Sequence, residues 1–258
     1  KLILKTLPPK YQTTAEILLQ NYTDTDWIKD ALRKGLIVCG NTGDGKSSLL
    51  NYLISYCLQA DPETELTIID PDYGSSHNDG PPNTWMGLPV GRVVFIDEEV
   101  GARIFVEAAR EVVRRSKQTS EAFANGATRK PYFKSRLIVV DEALEVLQSN
   151  FETSDEDMDF DKANSRILFR GLKQKVRAIW GVQSLLCKQL NLDETQISQV
   201  NIILLGNAAY NKQNLTKLGL TGAKADEAIA QLKTVRKMPG CEYACLARID
   251  GEISVRAL

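Results

Sequence analysis

The chain has 258 residues, enough for one domain with a full hydrophobic core or for two smaller ones, and too many for a small scaffold held by disulfides. Hydrophobic residues make up 43% and charged residues 25%, the balance of an ordinary globular protein, and no run approaches the roughly 18 apolar residues of a membrane helix. With 32 Lys and Arg against 33 Asp and Glu the formal charge is -1, so no global positive field draws the chain to a polyanion and any such contact has to be local. Five cysteines, an odd number without CxxC pairing, read as reduced thiols of a cytoplasmic protein. The chain opens at Lys1 without a charged-then-apolar leader, which fits a piece of a longer protein whose anchors or further domains lie elsewhere.

In chain order, residues 1–35 read as an N-terminal extension, and the buried strands begin with Leu36-Ile37-Val38-Cys39. A glycine loop follows, then a helix over about 46–59. Glu65 to Asp70 is the second strand, stopped by Pro71. Residues 71–90 are rich in proline and glycine and read as a long irregular loop, in which the sole histidine, His77, is an exposed loop residue. Arg92 to Ile96 is a third strand, and apolar residues then return at helical spacing over about 98–117. Arg136 to Asp141, Arg177 to Gln183 and Val200 to Gly206 are further buried strands. Between the first two of these, residues 151–162 hold six carboxylates but neither EF-hand spacing nor its glycine, and read as a solvated loop. Cys241 and Cys245 would share one face of a strand, with no other paired ligands for zinc. Two strands flanking Asp250-Gly251 form a terminal hairpin. This alternation predicts an α/β domain over 36–258, a mainly parallel sheet flanked by helices with a C-terminal β-hairpin.

Gly40-Asn41-Thr42-Gly43-Asp44-Gly45-Lys46-Ser47 fits GxxxxGK[ST] at every fixed position and stands between a strand and a helix. Glycines let successive amides turn toward phosphate oxygens, and the helix adds its free N–H groups and positive dipole end. This loop and Ser48 are the expected ATP cradle, with Lys46 on the β- and γ-phosphates and the Ser47 hydroxyl on Mg²⁺. Leu137 to Val140 run into Asp141 and Glu142, which arrive at the carboxyl edge of the sheet beside the loop. Asp141 suits the Mg²⁺ shell and Glu142 suits polarising the attacking water. Gln183, closing another strand at that edge, is placed to touch the γ-phosphate or its water. No guanine-reading N/TKxD motif occurs, which favours ATP over GTP.

These stretches resemble the FtsK/HerA superfamily of DNA-pumping ATPases over most of residues 36–257. LIVCGNTGDGKSSLLN is similar to the family's Walker A, LTIIDPD to its second strand, Glu111 to Arg115 to its E-x-x-x-R segment, RLIVVDEALEVL to its Walker B, and RAIWGVQSL to its third motif. The resemblance implies a RecA-like P-loop NTPase core of the ASCE type, with an additional strand between the Walker strands. It further implies a catalytic glutamate after the Walker B aspartate and a hexameric ring of identical subunits acting on double-stranded DNA. Each site of such a ring is completed by a neighbour's arginine. Arg170 is the candidate finger, with Arg166 and Arg177 in reserve, since no arginine stands beside the Walker motifs in sequence. The Walker B continues DEA in place of DEL, and Ser184-Leu185 replaces the usual Arg-Pro, pointing to a divergent member related to plasmid, phage or conjugative transfer. The competing reading is a P-loop ATPase that powers protein secretion or assembly without DNA. Two basic clusters, one at Arg110, Arg114, Arg115 and Lys117 and one at Arg129, Lys130, Lys134 and Arg136, read either as solvated faces or as phosphate or subunit contacts.

Overall fold

The computed structural model describes residues 26–74, 85, 93–148, 160–185, 190 and 192–257. Among them eight strands form one sheet: β1 (Leu36–Cys39), β2 (Glu65–Ile69), β3 (Val93–Phe95), β4 (Arg136–Val140), β5 (Val176–Val182), β6 (Asn201–Leu204), β7 (Cys245–Ile249) and β8 (Glu252–Arg256). Their spatial order is β3-β2-β4-β5-β1-β6-β7-β8, with the first six parallel and the last two joined on as antiparallel neighbours. Asp250 at φ 52° and Gly251 at φ 90° supply the two left-handed residues of the tight turn between β7 and β8. The eight expected strands are all present, with ends displaced by one or two residues.

The helices are α1 (Asp26–Ala31), α2 (Lys46–Ala60), α3 (Glu98–Ala124), α4 (Ala143–Gln148), α5 (Phe160–Arg170), α6 (Glu194–Gln199), α7 (Lys212–Leu218) and α8 (Ala223–Arg236). Every residue of β1 is buried, as a parallel strand covered on both faces requires. Its alternating side chains divide between two cores. Ile37 and Cys39 join Phe105, Ile138 and Trp180 on one face, and Leu36 and Val38 join Leu50, Leu53 and Ile54 of α2 on the other.

α3 starts where the Asp97 side chain accepts from Val100 N at 2.8 Å, with Glu98 and Glu99 in the first turn. It continues past the expected end at 117, because no glycine or proline interrupts residues 118–124 and Gly126 at φ 88° ends the run. Gly101 sits on Ile69, whose Cγ2 would lie 2.5 Å from an added Cβ, so this glycine sets how closely α3 approaches β2.

Arg115 of α3 is 4% exposed and is a clamp. Its Nη1 donates to the carbonyls of Lys134 at 2.8 Å and Gln174 at 2.7 Å, its Nη2 pairs with Glu111, and Glu111 also accepts from Arg136 Nη1 at 2.9 Å. The basic cluster on α3 therefore divides: Arg115 and, beyond it, Arg136 are spent on internal bonds, while Arg114 stays exposed.

α1, from the N-terminal extension, packs on the core through Trp27, Ile28, Ala31 and Leu32, and Asn201 Nδ2 donates to Ala31 O at 3.0 Å. α5 begins at Phe160, so the acidic segment expected as a loop over 151–162 gives way to helix in its last residues; the rest of it, with His77 and Cys187, lies outside the described residues. Cys39, Cys57, Cys241 and Cys245 are free thiols. Cys241 stands in a turn ahead of β7, not on a strand face shared with Cys245, since the glycine-led turn at Gly240 delays the strand. Among the described residues no helix is long and apolar enough to cross a membrane.

Arg115→Ala removes a donor to two carbonyls and leaves Glu111 with one cation fewer. It is expected to destabilise the fold by about 2–4 kcal/mol, read as a lower urea midpoint. Arg115→Lys, which keeps the charge but not the fork, is expected to recover only part of that.

Candidate active site

β1, β4 and β5 end side by side at Cys39, Val140 and Val182, and the residues that follow them converge. After β1 the loop turns at Gly43 and Gly45, both at φ 85°. An added Cβ would meet nothing within 4 Å at either, so these glycines serve backbone conformation and not space. α2 begins at Lys46 with no side-chain cap and no acid in its first turn, leaving its N–H groups for an anion.

Lys46 is 6% exposed. Its Nζ lies 2.9 Å from Asp141 Oδ1 and bonds Glu142 Oε1. Ser47 Oγ donates to Asp141 Oδ2 at 2.7 Å, and Gln183 Nε2 donates to Glu142 Oε2 at 3.1 Å. Burial on its own would push the Lys46 ammonium down, but Asp141 and Glu142 outweigh it and hold it above the ordinary lysine value. Glu142 has φ 48°, left-handed for a non-glycine residue, and its N–H donates to Asp141 Oδ1 at 3.0 Å. That turn lets two successive residues present carboxylates to the same lysine. Ser47 and Asp141 together offer hard oxygen donors, a set that fits Mg²⁺. The loop amides and helix N-terminus fit a polyphosphate.

Gly181 of β5 makes room for this arrangement. It pairs with Val38, and a Cβ there would lie 2.5 Å from Asp141 Oδ1 and 3.0 Å from Leu50 Cδ1. Asp70, at the end of β2, is fully buried and accepts from Trp85 Nε1 at 2.7 Å and Asp72 N at 3.0 Å. Burial pushes its carboxyl up to about 6, with the Trp85 bond pulling against that and the Asp141 charge adding to it.

Asp44 has a role beyond its place in the loop. Its carboxylate accepts from Asn41 N at 2.8 Å and Asn207 N at 2.9 Å, tying the loop to the 3-10 turn Gly206–Tyr210 that follows β6. A side chain at Gly206 would collide with it, at 1.8 Å from Asp44 Oδ1. Arg236 holds the same turn from the other side, with Nη1 on Tyr210 Oη at 3.0 Å and Nε on Ala244 O at 2.8 Å. An arginine thus comes within one hydrogen-bonded turn of the phosphate loop.

A cavity of about 660 Å³ opens beside Gly43, Gly45 and Ser48, with Trp27, Tyr52 and Tyr243 in its walls. Tyr52 is 48% and Tyr243 71% exposed, aromatic surface suited to stacking a planar ring. These residues come from α1, α2 and the turn before β7, so no local motif joins them. The single sequence signal was Tyr52, one helical turn beyond Ser48.

Arg170, the last residue of α5, is exposed and stands just ahead of the turn that leads into β5. It is therefore at the edge where the strands start, about 20 Å of strand from the edge that carries Lys46. Arg166 lies one turn earlier on α5, and Arg177, at the start of β5, bonds Cys57 Sγ at 3.2 Å. The structure brings Lys46, Ser47, Asp141, Glu142 and Gln183 together and leaves all three arginines away from them.

No protein-family profile and no curated sequence matches the chain. Among solved structures it is similar to the pCW3 conjugation coupling protein TcpA, with a TM-score of 0.57 and 17% identity over 88% of this chain and 60% of that one. It is similar as well to the cytoplasmic domain of the Thermomonospora curvata Type VII secretion ATPase EccC, with a TM-score of 0.53 and 20% identity over 86% of this chain and 25% of that one. The genome packaging NTPase B204 of Sulfolobus turreted icosahedral virus 2 aligns over 87% of this chain and 98% of its own, at a TM-score of 0.45 and 14% identity. The chain spans about 60% of the length of the coupling protein. The coupling protein and the secretion ATPase domain, whose fold the chain shares, are ATPases of the FtsK/HerA type.

Gly181→Ala puts a methyl where Asp141 Oδ1 stands. It is expected to leave the fold intact and cut ATP turnover by about tenfold or more, with weaker Mg²⁺ dependence, measured by a coupled ATPase assay against circular dichroism of the same sample.

Proposed function

We propose that the chain is the ATP-hydrolysing motor domain of a DNA translocase, working in the cytoplasm as a ring, hexameric by resemblance, of copies of itself on duplex DNA. The observation that carries the reading is the convergence of Lys46, Ser47, Asp141, Glu142 and Gln183 on one end of the sheet. The TcpA structure that shares the fold holds an ATP analogue, which supports ATP as the nucleotide.

Lys46 is shared by two carboxylates. When the loop takes ATP, Lys46 exchanges them for the β- and γ-phosphates, which frees Glu142 to orient a water and accept its proton. Gln183, already bonded to Glu142, is placed to position that water or the γ-phosphate. Ser47 and Asp141 would hold Mg²⁺, whose chemistry is to neutralise charge on the phosphate oxygens. The adenine fits the aromatic cavity beside Gly43 and Tyr52. Arg170, at the far edge of the sheet, can serve a site of another copy and not its own.

A second reading is a secretion or assembly ATPase that touches no DNA. The formal charge of -1 and the equally shared fold of EccC favour it.

Lys46→Ala is expected to abolish ATP binding or hydrolysis, and Glu142→Gln to bind ATP with turnover lowered by about 10²-fold or more; filter binding and phosphate release separate the two. Wild-type turnover by the Lys46 variant would defeat the phosphate-loop reading.

Duplex DNA is expected to stimulate turnover of the assembled protein, and turnover per subunit to rise with protein concentration. Arg170→Ala subunits mixed with Lys46→Ala subunits are expected to regain activity, since each supplies the half the other lacks. Stimulation absent at every DNA length, with concentration dependence kept, would leave the secretion reading.

A further inference from the structure

The end of the sheet away from the phosphate loop holds a second cavity, of about 290 Å³. It lies between α1, the last turn of α2 and the starts of β4 and β5, with Leu32, Leu137 and Leu172 among its walls. The cations on it outnumber the acids. Lys29, Arg136, Lys175 and Arg177 line it against Asp61, the one carboxylate among the lining residues. Arg136 shares Glu111, outside the cavity, with Arg115, and Asp61 already accepts from Ser135 Oγ at 2.6 Å. Lys175 Nζ lies 4.8 Å from the centre of the Tyr132 ring, a cation–π contact.

Arg177 is the unusual group. Its Nη1 donates to Cys57 Sγ at 3.2 Å, and its Nε is buried with no hydrogen-bond partner among the described residues. A thiol is a weak acceptor. Burial pushes the Cys57 thiol up despite the pull of Arg177, so the sulfur stays protonated and carries no charge to balance the guanidinium. A partly buried guanidinium without an anion is an incomplete site, because desolvating a charge is costly unless a partner returns the energy.

We propose that this cavity binds a small organic anion, a carboxylate or phosphate monoester on an apolar body, with Arg177 as its anchor and Lys29 and Lys175 at its sides. The guanidinium fork suits either oxygen pair. The volume is at the small end for ligand pockets and the walls are largely apolar, which selects a compact, partly apolar body over an extended polyanion. The occupant touches the far ends of α2, β4 and β5, the elements whose other ends carry Lys46, Asp141 and Gln183. The proposal does not depend on the motor reading.

Cys57 is a built-in reporter, as its sulfur lies on Arg177. Iodoacetate and iodoacetamide alkylate thiols by the same displacement, but only the first carries a carboxylate. Rates at Cys57 in the folded chain are followed by peptide mass spectrometry, and their ratio is compared with that of free cysteine. A cationic cavity is expected to raise the iodoacetate preference about tenfold. Arg177→Gln returns the ratio to the free value and Arg177→Lys keeps most of it, each checked by thermal melting. Phenyl phosphate and benzoate are the probes of the two head groups, and at least one slows labelling of Cys57 while sparing Cys241. The one that protects identifies the head group. The proposal is overturned by a wild-type ratio equal to that of free cysteine, by a ratio that survives Arg177→Gln, or by failure of both probes to protect. Where the protonated, buried thiol reacts too slowly to follow, calorimetric titration of phenyl phosphate and benzoate into wild type and Arg177→Gln replaces the labelling. Binding of neither probe to the wild type, or binding unchanged in Arg177→Gln, then overturns it.

Discussion

A lysine ammonium buried between two carboxylates is the interaction on which the rest of the site depends. Lys46 cannot be taken out of water without compensation, and Asp141 and Glu142 supply it from a strand two places away in the sheet. That requirement reaches into the fold. β5 has to lie between β1 and β4, so its residue at that level must leave the carboxylate room, and Gly181 does. The chain must also turn at once after Asp141, and Glu142 takes a left-handed backbone to do it. One buried charge thus accounts for a glycine, a backbone strain and a strand order.

From that centre the contacts run outward along one edge. Asp44 holds the Gly206–Tyr210 turn, and Arg236 ties the turn to the start of the terminal hairpin through Ala244. A carboxylate inside a phosphate-binding loop would repel its ligand if left loose. Three backbone N–H groups, of Asn41, Asn207 and Ala208, spread its charge. The collision that a side chain at Gly206 would cause shows how tightly this contact is built.

What was legible in the sequence was what short range determines. The eight strands follow from apolar runs bounded by Gly, Pro and charged residues, and their ends differ by one or two residues because pairing partners, not composition, set where a ladder stops. The phosphate loop and the Asp141-Glu142 pair are local motifs. Gly181, Arg115, Asp44 and the aromatic cavity owe their roles to partners distant in sequence. Arg115 is the sharpest case, because in the periodicity of α3 it reads as one more cation on a solvated face. Its acceptors are the carbonyls of Lys134 and Gln174, which only the packing of α3 beside β4 and α5 brings near.

The two edges of the sheet are chemically unlike. The edge where strands end is acidic around Lys46 and fits a metal–polyphosphate, while the edge where they begin carries Arg170 and Arg177. Within one chain a strand's length separates them, and the parallel order of β1, β4 and β5 keeps it so. If one copy is to complete the site of another with the exposed Arg170, it must set its strand-start edge against its neighbour's strand-end edge. Unlike surfaces then meet, so a two-fold dimer is excluded for that contact. The head-to-tail arrangement that remains closes into a ring or runs on as a filament, and the rotation between neighbours decides which.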